Sequence, residues 1–523
     1  MNKSDLITLN AAAIWASEYT NKAVTISNIS YLVQYALIDK VINNGVAYVS
    51  KSDLKKYYDK NKIEINWKNK LGNDLNWKLS FDNLKEADTT KHVHRIHPYK
   101  GKFIPQLVEY FIDSHTDEFK RDIYFKENDI IFDPFCGSGT TLVQANELGI
   151  NAIGVDISEF NSMISNCKIR EIDLISLENI VNILTDKLEC YIKPSLEFED
   201  ELNNKLMEFN EINFNILDYK KKVRDKKIDS KIYGKEKEEE FLIIYNDLIK
   251  KYNIKLYNDN NNSFICKWFI PSIVNELNYI NNLINSINDV KIKSILQIIL
   301  SRTMRSCRAT THSDLGTLLK PITYTYYCRK HYKICKPLFS IIKWWKKYSI
   351  DTIKRLYEFN SLRTNTYQLC ITGDSRNIDI FNEIKIYDNV FYDILKNKRI
   401  NGIFTSPPYI GLIDYHEQHA YAYDLFSFNR NDNFEIGSLS KGTSLNAKKE
   451  YTEDISRVLL NAKKYMIDDY NVFIVANDKY NLYPDIAYKS NMKIVNTFKR
   501  PVLNRVEKDK SAYSEIIFHL KEL

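Results

Sequence analysis

The sequence predicts an α/β protein built on a Rossmann-like, doubly wound and mostly parallel sheet, with a helical insertion and an N-terminal winged helix-turn-helix. Three observations predict it. Short apolar runs ending in polar residues, such as Ile130-Ile131-Phe132 and Ala152-Ile153-Gly154-Val155, alternate with helical stretches, as buried parallel strands do. A glycine-bearing loop, Asp133-Pro134-Phe135-Cys136-Gly137-Ser138-Gly139-Thr140-Thr141, follows the first run and opens a helix over Leu142–Leu148. Between about 170 and 365 the pattern is helical and highly charged instead. A crossover between parallel strands needs roughly a dozen residues, so a segment many times longer is an insertion.

Composition sets the outer limits. A chain of 523 residues is expected to hold about two to four domains. Its 44% hydrophobic and 27% charged residues fit a globular protein and exclude a disordered one. The net charge of +7 permits a basic groove for nucleic acid without demanding one. Met1–Thr20 is broken early by Asn2, Lys3, Ser4 and Asp5, and has no apolar core of signal-peptide type. No run approaches the roughly 18 apolar residues of a membrane span. The eight cysteines are scattered, which reads as reduced thiols. A cytoplasmic protein with no membrane partner is the expectation.

Taken in order, residues 1–60 read as a unit of their own. Ala11, Ala12, Ile14, Trp15 and Tyr19 recur at helical spacing, and Thr25 to Asn28 offer caps before a second helix from Ile29 to Tyr35. Asn43-Asn44-Gly45, the run Val46–Val49 and a last helix from Ser52 complete a pattern similar to a winged helix-turn-helix of the excisionase type, whose second helix enters the major groove. A plain interaction module is the alternative. Residues 61–90, polar and rich in Lys, Asn and Trp, read as a linker. Residues 91–170 carry the first two strands and 366–523 the rest, at Tyr367–Ile371, Gly402–Phe404 and Val472–Ala476. Lys493–Phe498 and Glu515–Leu520, separated by a polar loop with an arginine, suit an antiparallel hairpin at the sheet edge. Within the insertion, 171–365, the run Lys220–Lys227 reads more readily as a solvated helix face than as a phosphate track.

The chemistry is concentrated in two loops. Gly137 and Gly139 let the backbone pass close to a ligand, and the helix after them presents free N–H groups. Asp156 ends the next strand, placed to accept hydrogen bonds from two ribose hydroxyls. So far a Rossmann-like oxidoreductase fits equally well. The second loop, Thr405-Ser406-Pro407-Pro408-Tyr409, stands at the end of the run Gly402–Phe404. An exocyclic base amine is a poor nucleophile because its lone pair is delocalised into the ring. The Ser406 hydroxyl and Pro407 carbonyl can accept its two N–H groups, and prolines add no competing donors. Tyr409 can stack on a base drawn out of the duplex.

Together these two loops resemble those of bacterial amino-group DNA methyltransferases, chiefly the cytosine-N4 branch. The resemblance extends to His97-Pro98-Tyr99-Lys100-Gly101-Lys102-Phe103-Ile104-Pro105, to Gly373-Asp374-Ser375-Arg376, and to Gly411–His419 with Tyr421-Ala422-Tyr423. It implies the S-adenosylmethionine-dependent methyltransferase fold over 91–170 and 366–523. It also implies S-adenosylmethionine as cofactor, held by Asp133, Phe135, Gly137, Gly139, Thr140, Asp156 and Asp374, with Phe103 and Pro105 closing over it. Ser406, Pro407, Pro408 and Tyr409 are the implied catalytic residues, and double-stranded DNA is the implied partner, with a restriction endonuclease acting separately. The catalytic loop follows the cofactor loop, whereas many cytosine-N4 enzymes have the reverse order. In this arrangement the insertion is the candidate target-recognition domain. Ser406, where adenine-N6 enzymes usually carry Asp or Asn, favours cytosine N4. An adenine-N6 enzyme, an RNA methyltransferase and a catalytically dead DNA-binding homologue are the alternatives.

Four weaker patterns remain. Cys328, His331 and Cys335, with Cys307 upstream, have ligand types and spacings that a tetrahedral zinc could use, although a thiol pair and a packed histidine explain the same letters. Arg302, Arg305 and Arg308 are spaced to share a helix face suited to phosphate or guanine, with pairing to acidic residues as the alternative. His416 and His419 beside Glu417 invite a metal reading, but substrate contact or hydrogen-bonded support of the catalytic loop suits their place after Tyr409 better. Cys136 lies where the cofactor belongs, which argues against a cytosine-C5 nucleophile.

Overall fold

The computed structural model describes residues 5–20, 23–34, 37–43, 45–59, 63–193, 196–259, 263–312, 318–504 and 511–523. The chain begins with a three-stranded antiparallel sheet of β1 (Leu6–Thr8), β2 (Lys40–Asn43) and β3 (Val46–Ser50), in the order β1-β3-β2. Helices Leu9–Thr20, Ile26–Gln34 and Lys51–Asp59 accompany it. Thr25 caps the second of them: its hydroxyl accepts from the Asn28 N–H at 3.2 Å, while Asn28 Oδ1 accepts from the Thr25 N–H at 2.8 Å. Ala12, Ala13 and Ala16 let the first helix approach Ile29, Val49 and Leu54 closely in a small core of their own. β1 is a strand that periodicity missed, because three residues leading directly into a helix carry no pattern. Tyr35 and Asn44, assigned to the expected helix end and turn, lie outside the described residues.

The stretch 61–90, expected as a linker, corrects that expectation. It carries a helix at Ile63–Leu71 and a tight turn at Trp77–Ser80. Its Asn76 N–H donates to the Lys499 carbonyl at 2.7 Å, and Leu79 is fully buried in the main core. Polar neighbours hid these apolar anchors from a compositional reading.

The main sheet is mixed and seven-stranded. Its members are β4 (Ile130–Asp133), β5 (Asn151–Asp156), β8 (Gln368–Thr372), β9 (Ile400–Thr405), β10 (Met466–Ala476), β11 (Met492–Pro501) and β12 (Ser514–Glu522), while β6 (Tyr326–Cys328) and β7 (Lys333–Cys335) form a separate hairpin. The order is β11-β12-β10-β9-β4-β5-β8, parallel from β10 to β8. β12 pairs antiparallel with both β10 and β11, so the expected hairpin forms one edge. Of the two intervening arginines, Arg500 lies in β11 and Arg505 outside the described residues. Alternation along the central strands feeds two cores: Ile131, Ala152 and Phe404 face one, and Phe132, Ile153 and Ile403 the other.

The insertion is helical, as expected, with long helices at Leu174–Ile192, Leu196–Asn213, Ser230–Lys251, Pro271–Asn285, Val290–Cys307 and Ile342–Asn360. Its core is continuous with the sheet: Leu184, Leu277, Leu296 and Trp345 belong to the same buried cluster as Leu142, Phe404 and Phe473. A buried contact between His97 Nε2 and Ser301 Oγ, 2.9 Å, joins the two as well. The basic run at 220–227 faces the N-terminal unit, where Lys220 Nζ donates to the Gln34 carbonyl at 3.1 Å and Arg224 pairs with Asp39.

Candidate active site

From β4 the chain builds outward through β5 to β8, then returns to lay β9 and β10 on the other side. The crevice at that switch point, beyond the carboxyl ends of β4 and β9, is where open α/β sheets hold ligands. Asp133 ends β4, Asp156 ends β5 and Thr405 ends β9. A cavity opens there, walled by Phe103, Phe135, Gly137, Thr140, Asp156, Asp374, Ser406 and Pro408. Two loops 270 residues apart in the chain therefore face one space.

The glycine loop needs its glycines. Gly137 and Gly139 have φ of +52° and +75°, in the left-handed region where side chains are strained. A Cβ on Gly137 would also lie 2.9 Å from the Tyr99 hydroxyl. The resulting turn aims the Gly137 N–H at Asp156 Oδ2, 2.8 Å away, and Oδ1 accepts from the Ser158 N–H at 2.9 Å and Asn161 Nδ2 at 3.0 Å. Burial pushes the Asp156 carboxyl up to about 6, opposed by these three donors.

Asp133 stands behind the wall. Its Oδ2 accepts from Thr141 and its Oδ1 from Thr405, both at 2.6 Å, so one buried carboxylate ties the start of the loop helix to the end of β9. Burial pushes this carboxyl, too, up to about 6. Gly139 and Pro105 are likewise set back from the cavity. Asp374 reaches the wall with its carboxylate already held by Arg376, at 2.7 Å from Nη2. Of the second loop, Ser406 and Pro408 face the cavity, whereas Pro407 and Tyr409 do not. The Tyr409 hydroxyl donates to Glu515 Oε1 at 2.7 Å, and Arg500 meets the other oxygen at 3.5 Å. Tyr409 is thus anchored by its hydroxyl to β12, a placement different from free stacking in the cavity.

Comparison with known proteins gives the family. A family described as DNA methylase (N6_N4_Mtase) matches residues 13–166. The type II methyltransferase M.MjaII of Methanocaldococcus jannaschii is 46% identical over 524 residues, covering 99% of this chain and 97% of its own. The chain belongs to the amino-group DNA methylase family. Over shorter spans, the type II methyltransferase M.MvaI of Kocuria varians is 33% identical, across 30% of this chain and 32% of its own. M.BsoBI of Geobacillus stearothermophilus is 38% identical, across 14% and 13%.

Membership in a DNA methylase family implies S-adenosylmethionine as methyl donor. Ser138 Oγ and Asn161 Oδ1 are buried without a hydrogen-bond partner, and both residues line the cavity. Unpaired polar atoms of this kind are costly unless a ligand satisfies them. With Asp156 beside them, they suit the hydroxyls and amines of a nucleoside. The residues present fit the group.

Several of the methylase's site residues were not singled out in the sequence. Ser138 lies in the glycine loop and Asn161 in the helix after Asp156, but their orphaned atoms emerge only on folding. Glu435 had no sequence signal. It accepts from the His416 N–H at 2.8 Å and the Tyr415 N–H at 3.2 Å, touches His416 Nδ1, and lines the cavity. His416 is therefore buried and tied to Glu435 and to the Asn431 N–H, which donates to its Nε2 at 3.2 Å. Burial pushes His419 down to about 3, leaving it neutral. Cys136 lines the cavity with its thiol pushed well up by burial, which makes it no nucleophile.

Two expectations in the insertion are corrected. Cys307 is buried in the main core, and His312 takes its place beside Cys328, His331 and Cys335. Arg302 turns inward to Asp351 at 2.5 Å and Thr352 at 2.7 Å, so it does not share an outer face with Arg305 and Arg308. Those two line a cleft of about 1400 Å³ with Lys333, Lys336 and Lys343. Among the described residues, no helix is long and apolar enough to cross a membrane.

Proposed function

We propose that this DNA methyltransferase transfers a methyl group to N4 of cytosine in duplex DNA, as the modification enzyme of a type II restriction–modification system. The observation that carries the reading is the meeting of Asp156 and Ser406 in one cavity wall at the switch point. Asp156 would accept the ribose hydroxyls, with Ser138 and Asn161 completing the nucleoside contacts. When bound, S-adenosylmethionine supplies an electrophilic methyl on a sulfonium sulfur. The Ser406 hydroxyl would accept one N–H group of the amine and the Pro407 carbonyl, on a residue set off the cavity wall, would have to turn in to accept the other, directing the lone pair toward that methyl. Catalysis is then mostly orientation, with the proton lost to water after transfer. Arg500, Glu515 and the Tyr409 hydroxyl keep the loop from swinging away. Ser406 in the first loop position supports cytosine over adenine, and the names of M.MjaII, M.MvaI and M.BsoBI support the type II assignment. The N-terminal unit, with two helices before a hairpin, supports a winged helix-turn-helix that adds contacts to DNA. The insertion, whose basic cleft borders Arg305 and Arg308, is the proposed target-recognition region.

The test is to incubate the protein with labelled S-adenosylmethionine and mixed-sequence duplex DNA, digest to nucleosides and identify the labelled one by mass. Label in N4-methylcytosine is expected. Label in N6-methyladenine would overturn the reading of Ser406, and label in RNA alone would overturn the substrate. Ser406→Ala should lower kcat by about 10²-fold or more while cofactor binding is kept.

A further inference from the structure

A small hairpin in the insertion carries chemistry that methyl transfer does not use. β6 and β7 are three residues each, paired antiparallel with Tyr326 opposite Cys335 and Cys328 opposite Lys333. Two such strands are marginal on their own. One face of the hairpin packs into the main core through Ile334, with Tyr327 against it, whereas the face bearing the thiols has only a slight cluster of Ile322, Tyr326, Cys328 and Cys335. A face with so little core calls for a staple.

We infer that His312, Cys328, His331 and Cys335 form a structural zinc site that clips this hairpin to the segment following the helix Val290–Cys307. The ligand atoms of the four side chains all lie within 4.8 Å of one another. Tetrahedral Zn–N and Zn–S bonds of about 2.0–2.3 Å place ligand atoms roughly 3.3–3.8 Å apart. Cys328 Sγ and His331 Nδ1 already stand at 3.4 Å. The rings of His312 and His331 are 4.4 Å apart and nearly perpendicular, at 85°, which lets both direct a nitrogen at one point instead of stacking.

The surroundings fix the ligands further. Cys328 ends β6 and Cys335 ends β7, and Cys335 pairs with Tyr326, two residues from Cys328, so both thiols lie on one face of the hairpin. His331 sits in the connection, where its N–H donates to the Cys328 carbonyl at 3.2 Å. His312 comes from another segment and is oriented by Tyr326: its N–H donates to the Tyr326 hydroxyl at 3.2 Å, and its Nδ1 stands 2.8 Å from that hydroxyl. This contact leaves Nε2 of His312 for the metal and sets the tautomer, as outer partners of zinc-bound histidines do. Two cysteines and two histidines in a closed arrangement make a structural set, with no ligand position left for substrate. The site also borders the cleft that Arg305, Arg308 and Lys333 line, so the metal would hold one wall of that cleft in place.

The experiment uses the full chain without a histidine tag, purified under reducing conditions and assayed for metal by mass spectrometry. About one zinc per chain is expected, or its uptake on addition of Zn²⁺. Co²⁺ substitution of the wild type should give thiolate-to-metal charge-transfer absorption, a readout that needs no variant to fold. Cys328→Ser and His312→Ala should lose the zinc and resist proteolysis less at the hairpin, while cofactor binding at the main sheet is kept. Three results would overturn the site: no zinc bound or taken up, zinc retained in both variants, or a Cys328–Cys335 disulfide that persists through the reducing purification.

Discussion

In the proposed mechanism Asp156 and Ser406 carry most of what methyl transfer needs, and Asp156 depends on its neighbours for its state. Asp156 is nearly buried but ionisable, because a backbone N–H from Gly137 and two donors from the next helix offset the desolvation. Charge-assisted hydrogen bonds contribute about 1.5–3 kcal/mol each. Asp156→Ala should therefore raise the Kd for S-adenosylmethionine by about 10²-fold or more, measured by calorimetry. Its carboxyl, pushed up to about 6, gives a pH dependence of definite sign. The ligand needs the carboxylate form, so affinity should be flat well above pH 6 and weaken below it, by up to about tenfold per pH unit. An affinity unchanged across that range would remove Asp156 from the ribose contact. Sequence position alone identified Asp156 and Ser406. It could not show that Asp133 stands behind the wall, or that Glu435 enters it.

Between residue and fold, the decisive device is the joint between β4 and β9. Asp133 is held by one hydroxyl from the loop helix and one from the end of β9, immediately before Ser406. Thr405→Val removes one of the three donors to this carboxylate, with Thr141 and the Phe135 N–H remaining, and leaves it under-satisfied at a cost of about 1–3 kcal/mol. The expected outcome is a lower melting temperature and a reduced kcat with cofactor affinity largely kept. Equal losses in both would show that the joint serves the glycine loop as much as the catalytic one. The main strands were legible because buried parallel strands read as continuous apolar runs. What escaped was short or masked: β1 is too brief to show a period, and the 61–90 stretch hides Leu79 among polar neighbours. Arg302 was grouped with Arg305 and Arg308 by spacing, yet Asp351, from a helix about 50 residues on, draws it inward.

Across the whole molecule, the insertion and the sheet share one core. Leu184 and Trp345 of the inserted helices pack in the same buried cluster as Leu142 and Phe404 of the sheet half. Sheet and insertion should then unfold in one cooperative step, with tryptophan fluorescence and calorimetry giving coincident transitions. Deleting residues 174–360 should leave an insoluble chain, since the cut would bare that core. A soluble, cofactor-binding deletion variant would show instead that the insertion is an independent domain.

The sequence by itself determined the α/β class, the order of the seven main strands along the chain and the two loops that line the cavity. These are local signals: apolar runs, glycines where the backbone turns left-handed, and an acidic residue at a strand end. Only the tertiary structure decided that Asp156 and Ser406 face one cavity and that Tyr409 is anchored to Glu515. It also decided that His312, not Cys307, joins the cysteine–histidine cluster. Each of these rests on which distant segments pack together, and packing depends on the shape and burial of the whole chain rather than on spacing along it.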